Sequence, residues 1–136
     1  MKNVISLSLV CFTLALTSCK QESKIDDDLK EVAVNINKTT PQMLADGVRL
    51  DSVSAQPGKI FSYNYTLTDD AKEGVSPEQI EVFKTSAKEG ALRVIKTSPD
   101  IKQFRDNDVT MVYTYYDKDG KKTADFKITP EEYKAK

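Results

Sequence analysis

The side chains in this chain that could do chemistry are carboxylates, tyrosines and two cysteines; there is no histidine. Histidine is the commonest general base near neutral pH and the commonest transition-metal ligand. Its absence removes Ser/His and Cys/His nucleophilic pairs and ordinary zinc sites. Carboxylates are plentiful between Thr68 and Glu73 and around Asp26 and Asp117, but no spacing among them marks a catalytic pair. An EF-hand loop needs glycine at its sixth position and a bidentate glutamate at its twelfth. Counting back from Gly120 puts Tyr115 first, which offers no carboxylate, so Asp117, Lys118, Asp119 and Gly120 read as a tight turn. The adjacent Asp26, Asp27 and Asp28 cannot all turn toward one ion and read as a helix start. Gly58 beside Lys59 precedes a strand, whereas a phosphate-binding loop must precede a helix. No metal, no cofactor and no enzyme activity are expected.

Tyr63, Tyr65, Tyr113, Tyr115 and Tyr116 stand on the two most regular strands. Rings there serve as core and cross-strand pairs, or as a contact surface where a partner docks. Gross charge does not choose that partner. Lysine and arginine number 20 against 21 acidic residues, so there is no basic field to attract nucleic acid.

Lys2 followed by the apolar run Val4 to Leu16 has the form of a secretory signal. As a helix that run covers roughly 20 Å, short of the roughly 30 Å of a bilayer core. Leu16, Thr17, Ser18 and Cys19, placed directly after it, resemble the lipobox of bacterial lipoproteins. The resemblance implies a diacylglyceryl group on Cys19, removal of residues 1–18, and a membrane anchor. Two acyl chains hold a protein stably on a bilayer. Lys20 is not the aspartate associated with inner-membrane retention in enteric bacteria, so the resemblance implies the outer membrane, with the domain facing the periplasm. Cys11 would leave with the signal, so the mature domain would hold no thiol for a disulfide.

Residues 19–28 read as the lipidated cysteine and a polar tether, and residues 29–136 as a single domain with one core. Asp28 with Glu31 reads as an N-cap and capping carboxylate, starting a helix in which Leu29, Val32, Ala33 and Ile36 recur to about Lys38. Val48 and Leu50 alternate in one phase, Val53 and Ala55 in the other, which predicts a bulge near Asp51 and Ser52. Gln56, Pro57, Gly58 and Lys59 spell a type II turn. The next strand puts Phe61, Tyr63, Tyr65 and Leu67 on one face. Ser76, Pro77 and Gln79 start a helix expected to run to about Lys96 despite Gly90, with a break at Gly90 as the alternative, and Ser98 with Pro99 starts a short one ended by Asn107. Val109 to Tyr116 and Ala124 to Ile128 form a second hairpin, and Thr129 with Pro130 opens a last short helix around Tyr133.

The order α-ββ-α-α-ββ-α predicts an α+β domain, an antiparallel sheet of about four strands from two hairpins, one face covered by helices. The covered face carries Phe61, Tyr63, Tyr65, Met111, Tyr113, Phe126 and Ile128. Ile60, Val112 and Tyr116 are then the largest apolar groups on a wet face, and form the candidate partner-binding surface. In size, anchor and sheet-plus-helix make-up the chain resembles small envelope lipoproteins and, more remotely, pilotins of type II secretion. That resemblance implies a lipid-anchored, non-catalytic envelope protein that binds or escorts a protein partner. The alternative is a small-ligand carrier or a hydrolase using carboxylates, for which a deep pocket joining Tyr63, Tyr113 and carboxylates would speak.

Overall fold

The computed structural model of the chain describes residues 23–135; Cys19 and the lipobox lie outside the described residues. Helix α1, Lys24–Asn37, is followed by strands β1, Gln42–Ala45, β2, Val48–Gln56, and β3, Ile60–Leu67. A 3-10 turn, Lys72–Gly74, leads to the long helix α2, Pro77–Thr97, and the short α3, Lys102–Asp106. Strands β4, Thr110–Asp117, and β5, Lys122–Ile128, precede α4, Pro130–Lys134.

The expected α+β class holds, with helices gathered on one face of the sheet. Two details of the sheet differ from expectation. It has five strands in the order β1-β2-β3-β4-β5, and its central pair, β3 with β4, is parallel, so the sheet is mixed. The predicted hairpins β2–β3 and β4–β5 are both present. The register shift between Leu50 and Ser52 is the predicted bulge, and it leaves Leu50 opposite Tyr65 and Val53 opposite Tyr63, all on one face. At the β2–β3 turn Gly58 takes the positive φ expected of it, +94°.

Helix α1 begins earlier than expected. Its N-cap is Ser23, not Asp28, so Lys24 to Asp28, read as tether, are helical. The Ser23 N–H and hydroxyl both donate to Asp26, at 3.1 and 2.9 Å, and the other Asp26 oxygen accepts from the Lys59 N–H at 2.7 Å. At the far end Asn37 donates to the Val53 carbonyl at 2.8 Å and accepts from the Val53 N–H at 2.9 Å. Both ends of α1 are thus clipped to the first hairpin, and Ile25, Leu29 and Ala33 are buried in the core with Val53 and Phe61. Gly90 does not break α2, which persists to Thr97 and is closed by Arg105, whose guanidinium donates to the carbonyls of Ile95 and Ser98, both at 2.6 Å.

α1 packs on β2 and α2 packs on β5 and α4. The core between them holds Phe61, Val109, Met111 and Ile128, all 0% exposed. The opposite face is open and polar: Thr66 donates to Asp51 at 2.5 Å, Asn64 to Ser52 at 3.2 Å, and Ser54, Gln56, Asp125 and Lys127 are exposed.

Asp117 ends β4 at 1% exposure and organises the loops around it. It accepts from the backbone N–H of Lys72 and Lys121, each at 2.8 Å, and of Asp119 at 2.9 Å. The Lys72 N–H, ahead of the others, holds its carboxyl below the ordinary value, and the Lys59 N–H does the same for Asp26. A depressed folded-state value contributes stability that is present above the unfolded value and lost as pH falls through the folded one. The melting temperature is therefore expected to be level from neutrality to about pH 5 and to fall below about pH 4. Asp117→Asn should melt lower at pH 7 and show a shallower acid-side fall; an acid limb identical to the parent's in a pH series of thermal melts would contradict this.

Candidate functional site

Helix α2 is long, yet Ile95 is its single buried residue. Its apolar stripe, Ile80, Phe83, Ala87 and Ala91, is only half covered. The cause is the placement of α2 over β5, which leaves β3 and β4 partly uncovered between it and the β1–β2 side of the sheet. Tyr63 and Tyr65 of β3 are half-buried there, beside the buried Tyr113 and Tyr115 of β4. The resulting groove has a volume of about 410 Å³, with the four tyrosines on its floor and Ala87, Ala91, Val94, Ile95 and Ile101 along one side. Leu44 and Val48, from β1 and the start of β2, close it at the other. Leu44 and Val94 remain 52% and 54% exposed, which makes the rim apolar as well as the floor.

The parallel pairing builds the floor. Tyr63 lies opposite Tyr113 and Tyr65 opposite Tyr115, so the rings stack in line across the two strands. Ring centroids are 5.1 Å apart for Tyr63 and Tyr113 and 4.9 Å for Tyr65 and Tyr115, and Phe126 of β5 extends the stack at 5.0 Å from Tyr113. Burial pushes the Tyr63 hydroxyl up to about 12 and raises those of Tyr65, Tyr113 and Tyr115. None is a phenolate at neutral pH, so the stack supplies hydrogen-bond donors and no base or nucleophile. Tyr113 reaches only the Met111 sulfur, at 4.0 Å. The Tyr115 hydroxyl makes no hydrogen bond among the described residues and reaches solvent, since no buried side-chain oxygen or nitrogen there lacks a partner.

A second recess of about 500 Å³ adjoins the groove at the N-terminal half of α2. Val48, Leu67, Ile80 and Phe83 form its floor and Asp46, Asp69 and Asp70 stand around it. The tyrosines and the carboxylates therefore occupy different cavities. The arrangement expected of a ligand carrier or carboxylate hydrolase, one pocket joining Tyr63, Tyr113 and acidic groups, is not what these two recesses present. Glu73, Asp117 and Asp119 also approach one another. Asp117 there already accepts three backbone N–H groups, and the Lys121 ammonium pairs with Glu73.

Ile60, Val112 and Tyr116 lie on the open face, each half-exposed. Val112 pairs with Ser62 and Tyr116 with Thr66, so Ile60 is a diagonal neighbour of Val112. Tyr116 stands four residues further along β4, about 13 Å away at roughly 3.3 Å per residue. Two of the three are brought together and the third is set apart. The groove itself was missed by sequence reasoning, because period-two strands and helical stripes assign every one of its residues to a core. The available signal was the small side chains: Ala87, Gly90 and Ala91 occupy the half of α2 where bulky residues would have filled the gap.

Residues 23–124 match the family described as "Domain of unknown function (DUF8479)". No curated protein matches the sequence significantly. Among solved structures, the pilotin EpsS of the Vibrio vulnificus type 2 secretion system superposes with a TM-score of 0.61 at 14% identity, covering 82% of this chain and 94% of its own. The type II secretion system pilotin AspS from Vibrio cholerae gives 0.57 at 16% identity, covering 79% and 91%. A protein of Pseudomonas aeruginosa described as a candidate secreted protein gives 0.58 at 11% identity, covering 82% and 98%. At these identities the likeness is one of fold.

Proposed function

We propose that this chain, which belongs to the family described as Domain of unknown function (DUF8479), is a non-catalytic accessory protein of the bacterial envelope. In this reading lipid on Cys19 anchors it, and the groove between α2 and β1 holds a segment of a protein partner that it escorts. The observation that carries the reading is the groove: an apolar trough floored by stacked tyrosine rings, with no charged side chain in its lining. Such a surface suits the apolar side of a polypeptide segment, with aromatic anchors of the kind that carry affinity in protein contacts. The fold it shares with two secretion pilotins supports an escort role, and the absence of any histidine argues against catalysis.

The experiment is site-specific photocrosslinking of the full chain in its native envelope. A crosslinker at Leu44 is expected to capture an envelope protein in the acylated, membrane-bound pool. Ala91→Trp should abolish that capture by filling the trough, and it should leave the melting temperature nearly unchanged because Ala91 is half-exposed. Capture from position 116 and none from position 44 would place the partner on the open sheet face with Ile60 and Val112, and would sink the groove as the site. An unacylated protein recovered without membrane would sink the anchor.

A further inference from the structure

The two recesses lie end to end beside α2. Val48 lines both, and the edge-on contact of Phe83 with Tyr115, at 5.0 Å, is the low wall between them. Helix α2 runs beside the whole length: Ile80 and Phe83 border one end and Ala87, Ala91 and Val94 the other. From residue 80 to residue 94 that is roughly 21 Å of helix, enough for a bound segment of several turns.

Charge is unevenly divided along it. No charged side chain lines the tyrosine end, while Asp46, Asp69 and Asp70 surround the other. Among the described residues none of these three aspartates has a lysine or arginine partner. Lys72, the cation at this end, is drawn off to the Lys122 carbonyl at 3.0 Å. The N-terminus of α2 adds about half a positive charge, which three carboxylates still outweigh. Asp69 is set in place by Gly47, where a Cβ would come within 2.9 Å of its Oδ2. Between the carboxylates the floor is apolar, so this end is shaped for a side chain with an apolar stem and a cationic head.

Resting on the groove reading above, we propose that the partner segment carries an arginine or lysine at one end and apolar side chains along the rest, so that it binds in one orientation. The basic stem lies over Ile80 and Phe83 with its head among Asp46, Asp69 and Asp70. The apolar side chains cover the tyrosine rings.

The test uses three synthetic peptides of about 14 residues, matched to that roughly 21 Å and built from alanine, leucine and glutamine. One has arginine near its N-terminus, one near its C-terminus, and one has neutral citrulline at both places. Binding to the full chain is measured by calorimetry at low and high salt. One arginine peptide is expected to bind about tenfold tighter than the citrulline peptide at low salt, with the preference shrinking as salt screens it. The double variant Asp69→Asn, Asp70→Asn should lose the preference while keeping its affinity for the citrulline peptide and its melting temperature. Equal binding of arginine and citrulline peptides, lost for both in Ala91→Trp, would overturn this proposal and leave the groove reading standing. A preference that survives in the double variant would also overturn it. No binding by any of the three would overturn both.

Discussion

Phe61→Ala is expected to destabilise the protein by about 3–5 kcal/mol, the range for removing a large aromatic from a packed core, and to lower its melting temperature by well over 10 °C. Phe61 is fully buried at the point where α1, β3 and the helices after α2 meet. Its ring meets Phe104 of α3 edge-on at 4.9 Å and Tyr63 at 5.2 Å. Deleting it leaves a cavity that the clipped ends of α1 hinder from closing, since the Asp26–Lys59 and Asn37–Val53 hydrogen bonds hold that helix at a fixed distance from the hairpin. A loss under about 1 kcal/mol in denaturant titration would mean that α1 collapses onto the gap and is not held as described.

The second large effect contrasts two tyrosines three residues apart on β4. Tyr113→Ala is expected to cost about 3 kcal/mol, because its buried ring is stacked between Tyr63 and Phe126 and touches Tyr65 as well. Tyr116→Ala, on the open face with its ring half in water, should cost less than about 1 kcal/mol. Tyr113→Phe should stay close to the parent, since the hydroxyl has only a thioether for a partner. If the two alanine variants exchange places in thermal melts, the covered and open faces have been assigned in reverse.

What could be read from the residues follows from which forces are local. Period-two alternation at Phe61, Tyr63 and Tyr65, and at Met111, Tyr113 and Tyr115, identified two strands and their covered faces. The phase change after Leu50 identified the bulge, and the Ser-Pro starts identified α2 and the turn before α3. Strand order is a non-local choice. Nothing in alternation says which edges of two hairpins meet, and the parallel β3–β4 pair depends on the long path through α2. β1 was not legible because all four of its residues are exposed and no face of it is buried. The start of α1 was displaced because three aspartates each make a plausible cap. Ser23 with Asp26 three residues on, together with Ile25 four residues before Leu29, carried the correct signal. The groove lay beyond reach for the same reason as the strand order: it is made by how far α2 stands from β1 and the start of β2 across the sheet, which no single segment encodes.

The in-line stack of tyrosines has one more consequence. The chain contains six tyrosines and no tryptophan, so its near-ultraviolet absorption, emission and circular dichroism belong almost wholly to tyrosine. Four of the six rings form one stack under the groove, held face to face by a parallel register. Their transitions couple through that geometry, and anything that settles on them changes the polarity around the coupled set at once. The protein thus has a built-in optical gauge, with no label attached, and it is located on the surface where occupancy is to be read.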